Sequence, residues 1–256
     1  MLAAVTVTRL EKAASDNGFD LWLPPDGDWL MFGSTQTSMR IWLTSLGESL
    51  VLVAMSRGNV LEVLAELGLP SAPPLPTGAA GALTVSDVQA LHRVLRRAFQ
   101  LARTLPDELL HVFEGQTAHL PRSTETEHLA VQRVGQDIFR RGLLEYWDGR
   151  CAITGLAVPE LLRASHIKPW ADCETDAERL DVFNGFLLAP HLDVVFDAGY
   201  ISVSPDGVVL LSNALPTEAR AIFGLELPLK VRGLHHAHER YLMWHRTRIF
   251  RSGSAT

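Results

Sequence analysis

Apolar positions along the chain change their period more than once. Residues 29–32, 39–44 and 49–55 are short runs rich in aromatic and branched side chains, and Asp26-Gly27 and Leu46-Gly47 supply turns, so the runs predict strands. Residues 59–67 switch to helical spacing and stop at Gly68 and Pro70. Residues 71–81, Ser-Ala-Pro-Pro-Leu-Pro-Thr-Gly-Ala-Ala-Gly, have no apolar period and predict a linker or long surface loop. Beyond them Val88, Leu91, Leu95, Ala98 and Leu101 predict a helix over 87–103, opened by Ser86 with Gln89 three residues on. Thr124 and Glu127 repeat that capping pattern before a second helix over 125–147.

The C-terminal texture is different. Residues 151–154, 161–166 and 187–188 are short apolar pieces separated by glycine and proline, and 201–203 with 208–211 predict a hairpin around Ser204-Pro-Asp-Gly207. A last helix is expected over 234–249, with Leu234, Ala237, Tyr241, Trp244 and Arg248 on one stripe. No internal repeat or low-complexity tract is present. The elements together give an α+β fold: a small N-terminal module over 1–70, a linker and helical connector over 71–121, and a C-terminal domain over 122–256.

Composition narrows the function classes. The 256 residues are 47% hydrophobic and 20% charged, which is globular composition. No window approaches a membrane span and no secretory leader opens the chain, so the expected compartment is the cytoplasm, with no membrane partner. The two cysteines, Cys151 and Cys173, make neither a disulfide framework nor a four-cysteine zinc site. Net charge is −6, with −4 over residues 1–121 and −2 over 122–256, so bulk electrostatics alone would not hold the chain on nucleic acid. Twenty of the 23 basic residues are arginine, whose planar fork suits phosphate, although composition bias is the better account of that.

Candidate chemistry is concentrated in Arg163-Ala-Ser-His-Ile-Lys-Pro-Trp170 and Asn184-Gly-Phe-Leu-Leu-Ala-Pro-His-Leu-Asp-Val-Val-Phe-Asp-Ala-Gly199. His166 ends an apolar strand, where an imidazole could deprotonate water near neutral pH. Asp193 and Asp197 are four apart, which puts both carboxylates on one helical face, able to hold a hard cation. His191 is a third candidate ligand, Asn184 a residue that ties the loop in place, and Arg163 and Lys168 are candidate phosphate contacts. Their chemistry points to phosphodiester hydrolysis.

At these residues the chain resembles the HNH endonucleases, in the branch reading S-H-I-x-P-W, N-G-x-L-L and D-x-x-F-D-x-G. The resemblance spans about residues 130–250, including Gly135-Gln-Asp-Ile-Phe-Arg140 upstream and Tyr241-Leu-Met-Trp-His245 at the end. It implies a ββα-metal unit in which His166 is the general base, Asn184 a structural residue and Asp193 a metal ligand, with Asp197 or His191 as helper. The implied ion is Mg²⁺, or Mn²⁺ or Ni²⁺, and the implied substrate is DNA, in restriction or defence. Ser165 stands where many members carry a ligating Asp or His, and paired Cys-x-x-Cys motifs are missing, so no structural zinc is expected. The sequence does not fix the oligomeric state, although cutting both strands with one-site domains suggests a homodimer.

Two other readings compete: an inactive HNH-fold module that docks on DNA or protein, and a structural metal protein using His235, His236 and His238. The late histidines read better as surface residues. Trp22, Trp29 and Trp42 could stack on bases, although core packing is the better reading, and Arg40 and Arg57 could touch DNA. Residues 1–70 are thus the candidate target reader, and removing residues 1–81 is expected to leave unselective nicking.

Overall fold

The computed structural model describes residues 2–47, 50–65, 67–71, 73–121, 124–226 and 228–251. Ser49, Ala72 and Arg122, which bound or interrupt segments expected above, lie outside them, as do residues 252–256. The chain forms two compact units, Met1–Leu105 and Pro106–Thr256. Among the described residues no helix is long and apolar enough to cross a membrane.

In the N-terminal unit, helix α1 (Ala4–Asp16) precedes strands β1 (Leu21–Asp26), β2 (Trp29–Gly33), β3 (Ile41–Leu46) and β4 (Leu50–Met55). Helix α2 (Gly58–Leu64), strands β5 (Leu69–Ser71) and β6 (Gly81–Val85) and helix α3 (Val88–Thr104) complete it. The antiparallel sheet has the order β1-β2-β3-β4-β6-β5. Its alternation sends Ile41, Leu43, Val53, Met55, Leu83 and Val85 to one face, buried where α1, α2 and α3 pack. Trp42, Ala54 and Ala82 lie on the opposite face with Trp29, Met31 and Ala79.

Three sequence expectations are corrected here. The segment read as a connector from residue 71 onward contains β6, an inner strand paired on both sides, and α3, which packs on that sheet, so both belong to the N-terminal unit. The cap of α3 is Asp87, which accepts from the Ala90 amide at 2.7 Å, while Ser86 donates to Asp87. Arg57 donates to the Ala102 carbonyl at 2.9 Å, a contact inside its own unit.

The C-terminal unit opens with α4 (Pro106–Thr117) and α5 (Glu125–Tyr146), the latter started by a complete Thr124/Glu127 capping box. Strand β7 (Arg163–His166) pairs antiparallel with β8 (Gly185–Leu188), and a loop containing the short helix α6 (Asp176–Arg179) joins them. Helix α7 (Pro190–Asp197) follows directly, with proline in its first turn. Then come the hairpin β9 (Ile201–Val203) and β10 (Val209–Leu211), helix α8 (Thr217–Ile222) and helix α9 (Glu239–Arg248). The expected helix over 234–249 begins later than its apolar stripe suggested, because residues 236–238 form a separate turn. Helix α5 packs on β7 and β8, and α7 packs on β7 and β9, so the strand pair lies between two helices.

Candidate active site

The site is built on β7, β8 and α7. Strand β7 and helix α7, with α5, the stretch after β7, and His245 and Ile249, line a cavity of about 570 Å³, whose lining includes Arg163, Ser165, His166, Asp193 and Asp197. Strand alternation puts Ser165 and His166 on opposite sides of β7, so they meet different neighbours. The Ser165 hydroxyl is buried and donates to Asp197 Oδ1 at 3.3 Å. His166 stacks on Phe139 of α5, ring centroids 3.8 Å apart.

His166 Nε2 lies 2.9 Å from the Arg179 carbonyl oxygen. A carbonyl only accepts, so Nε2 carries the ring proton and Nδ1 keeps the lone pair. Burial pushes this imidazole down to about pKa 4, partly offset by that hydrogen bond, and keeps it neutral at physiological pH. Asp193 and Asp197 sit one turn apart on α7. Although the residue as a whole is exposed, partial desolvation of its carboxyl, and then the charge of Asp193, push Asp197 up to about 6, against the hydrogen bond from Ser165.

Asn184 lies outside the cavity lining. It is fully buried, accepting from the Lys168 amide at 2.8 Å and donating to the Glu178 and Lys168 carbonyls at 3.0 and 3.2 Å. It therefore staples the 168–178 stretch of the loop whose end supplies the Arg179 carbonyl. Lys168 is buried too, and its ammonium is bound to Glu178 Oε2 at 2.9 Å, which holds its pKa up. This corrects its reading as a phosphate contact. Arg163 is exposed on the cavity wall.

His191 is not brought to the cavity. Two residues before Asp193, it projects from another side of α7 and is exposed. Among the described residues no group of three or more His, Cys, Asp or Glu side chains is arranged to hold a metal ion. The two carboxylates on the cavity nevertheless suit a hard divalent cation, because their mutual repulsion is what such an ion relieves. Water and phosphate oxygens would have to fill the other positions.

The late histidines differ from their expected surface placement. His235 and His238 are buried and pack on Phe183 and Phe186, while His236 is exposed. The sequence motifs contain Phe139, Trp170 and Arg140 but assign them no role. Arg140 also lines the cavity, and it donates to the Leu162 and Pro159 carbonyls at 2.7 and 3.0 Å, clamping the turn that enters β7. The run Gly135-Gln-Asp-Ile-Phe-Arg140 was visible in the sequence, but contacts between α5 and β7 are tertiary.

No curated protein matches the chain. Residues 151–204 match the model of a family described as HNH endonuclease. That segment contains β7, β8, α7 and β9, and with them His166, Asn184, Asp193 and Asp197. The C-terminal part of the chain therefore carries an HNH endonuclease domain.

Proposed function

We propose that the chain is a metal-dependent DNA endonuclease that hydrolyses phosphodiester bonds and acts in restriction or defence against foreign DNA. One observation carries the reading: a single cavity gathers an imidazole of defined tautomer and two carboxylates one helical turn apart. The defence role rests on analogy of architecture alone, a nuclease domain that follows a separate N-terminal unit along the chain.

In this reading Nδ1 of His166 accepts the proton of the attacking water. Nε2–H stays on the Arg179 carbonyl, which stabilises the imidazolium as it forms. Asp193 and Asp197 would hold a divalent cation, Mg²⁺, Mn²⁺ or Ni²⁺, which when bound supplies charge stabilisation at the phosphate and the leaving oxygen. Ser165 holds one Asp197 oxygen by its hydrogen bond, and Arg163 offers a cation to a neighbouring phosphate. Asn184 acts through the loop and is a positioning residue.

The test is plasmid cleavage by the purified protein. His166→Ala should fold and cut roughly 10²–10⁴-fold more slowly. EDTA should abolish cutting, Mg²⁺ or Mn²⁺ should restore it, and Asp193→Ala should raise the metal concentration required. Wild-type rates in His166→Ala would overturn the assignment. A protein that binds DNA but cuts with none of the three ions would instead be a binding module on the HNH fold.

A further inference from the structure

Helix α5 lies outside residues 151–204, the segment that matches the family model, yet it forms a wall of the cavity beside His166. Phe139 is buried, with its ring 3.8 Å from the imidazole and only 16° from parallel. The indole of Trp170 meets the same imidazole edge-on, at 5.7 Å and 90°. With Nε2 on the Arg179 carbonyl, the ring is held on one face, at an edge and at one nitrogen.

Two glycines make room for this. Gly185 is the β8 partner of His166 in the ladder, and a Cβ there would come within 2.4 Å of the Phe139 ring. Gly135 stands one turn before Phe139, and its Cβ would come within 2.3 Å of the Trp170 indole. Gly185 is extended, with φ −159°, and Gly135 is inside a helix, so neither needs a glycine for its backbone. Inside a helix glycine is a poor choice against alanine. What both positions require is the missing side chain.

We propose that Phe139, seated by Gly185, and Trp170, seated by Gly135, clamp the His166 imidazole in the orientation that proton transfer needs. The proposal rests on the reading of His166 as the base. The second torsion of histidine has a broad preference, so an unclamped ring would sample orientations that carry Nδ1 away from the water. Phe139 and Trp170 act through the base; they are positioning residues, and Phe139 brings α5 into the working apparatus.

Phe139→Leu in the full chain tests this, because it keeps an apolar side chain and removes the flat ring. Phe139's ring current acts on the imidazole protons, so the His166 proton resonances, identified by their loss in His166→Ala, should move in Phe139→Leu. On plasmid DNA kcat should fall by about 10- to 100-fold, with KM unchanged. Gly135→Ala should give the same result from the Trp170 side, and it carries the same readouts should Phe139→Leu not fold. Unmoved His166 resonances overturn the proposal. So does an unchanged kcat in folded protein, whatever the melting temperature does. Moved resonances in a protein whose wild type cuts no DNA would support the clamp and defeat the nuclease reading.

Discussion

At the scale of single residues, loss of hydration moves two titrating groups in opposite directions. His245 is buried, stacked on Phe196 at 4.1 Å, donating to the Phe196 carbonyl and accepting from Ser202. Burial pushes it down to about 4. The unfolded chain therefore binds more protons than the folded one below about pH 6.5. The stability this neutral ring contributes is complete above 6.5 and is lost as pH falls towards 4, by up to roughly 3 kcal/mol. Thermal melts from pH 7.5 to 4 should show a steep fall in the wild type and a shallower one in His245→Asn; equal slopes would refute the assignment. Asp197 behaves in the opposite sense. Its carboxyl is held up to about 6, so the cost of its charge is present above 6 and relieved below. Without metal, Asp197→Asn should stabilise the fold slightly at pH 7.5, by less than about 1 kcal/mol because the residue is exposed, and so raise the melting temperature a little. The gain should shrink as pH falls below 6, while DNA cutting is lost at every pH. A variant that melts lower than wild type at pH 7.5 would contradict that origin of the shift.

At the scale of elements, local rules and long-range packing divide the fold between them. The capping box of α5 was legible because both partners lie within four residues, and Thr124→Ala should cost about 1 kcal/mol in chemical denaturation. The end of α7 depends on Gly199, with φ +72°, where a Cβ would meet the Ile249 carbonyl at 2.1 Å. Gly199→Ala should cost about 2 kcal/mol or more by the same measurement, through the left-handed backbone and the clash together. Strands β7 and β8 and helix α7 were legible as elements because motif and apolar pattern coincide there. Strand β1 was not, since Pro24 and Pro25 weaken the strand pattern, and proline is tolerated only because β1 is a sheet edge. Strand β6 was not, because it emerges from the proline- and glycine-rich stretch and takes its place from β4 and β5, more than ten residues upstream. In the site, the spacing of Asp193 and Asp197 was readable from sequence. The burial of Lys168 against Glu178 and the stacking of Phe139 on His166 were not, because each joins residues ten or more positions apart.

At the scale of the whole molecule, the position of the unit boundary decides how labour can be divided. The C-terminal unit carries 15 basic against 20 acidic side chains, so on its own it has little electrostatic grip on DNA. Phosphate and metal contacts place a duplex without reading its sequence. If a target is chosen, the N-terminal unit is the candidate chooser. It offers the exposed Arg40 beside Trp42, the exposed Trp22, and α3, which carries four arginines and no acid. A cut after residue 81 would not separate the functions, because it leaves β6 and α3 without their sheet. The apolar face of α3, with Leu91, Val94, Leu95 and Leu101, would then be bare to solvent. The fragment 82–256 should therefore aggregate, while 106–256, which starts at the boundary between units, should stay monodisperse in size-exclusion chromatography. Fragment 106–256 should keep weak metal-dependent nicking and lose the target preference of the full chain. Cleavage maps of the two proteins on one mixed pool of unmodified and modified DNA decide the matter. Identical maps from folded 106–256 would assign recognition to the nuclease half, and leave the N-terminal unit a role other than choosing where to cut.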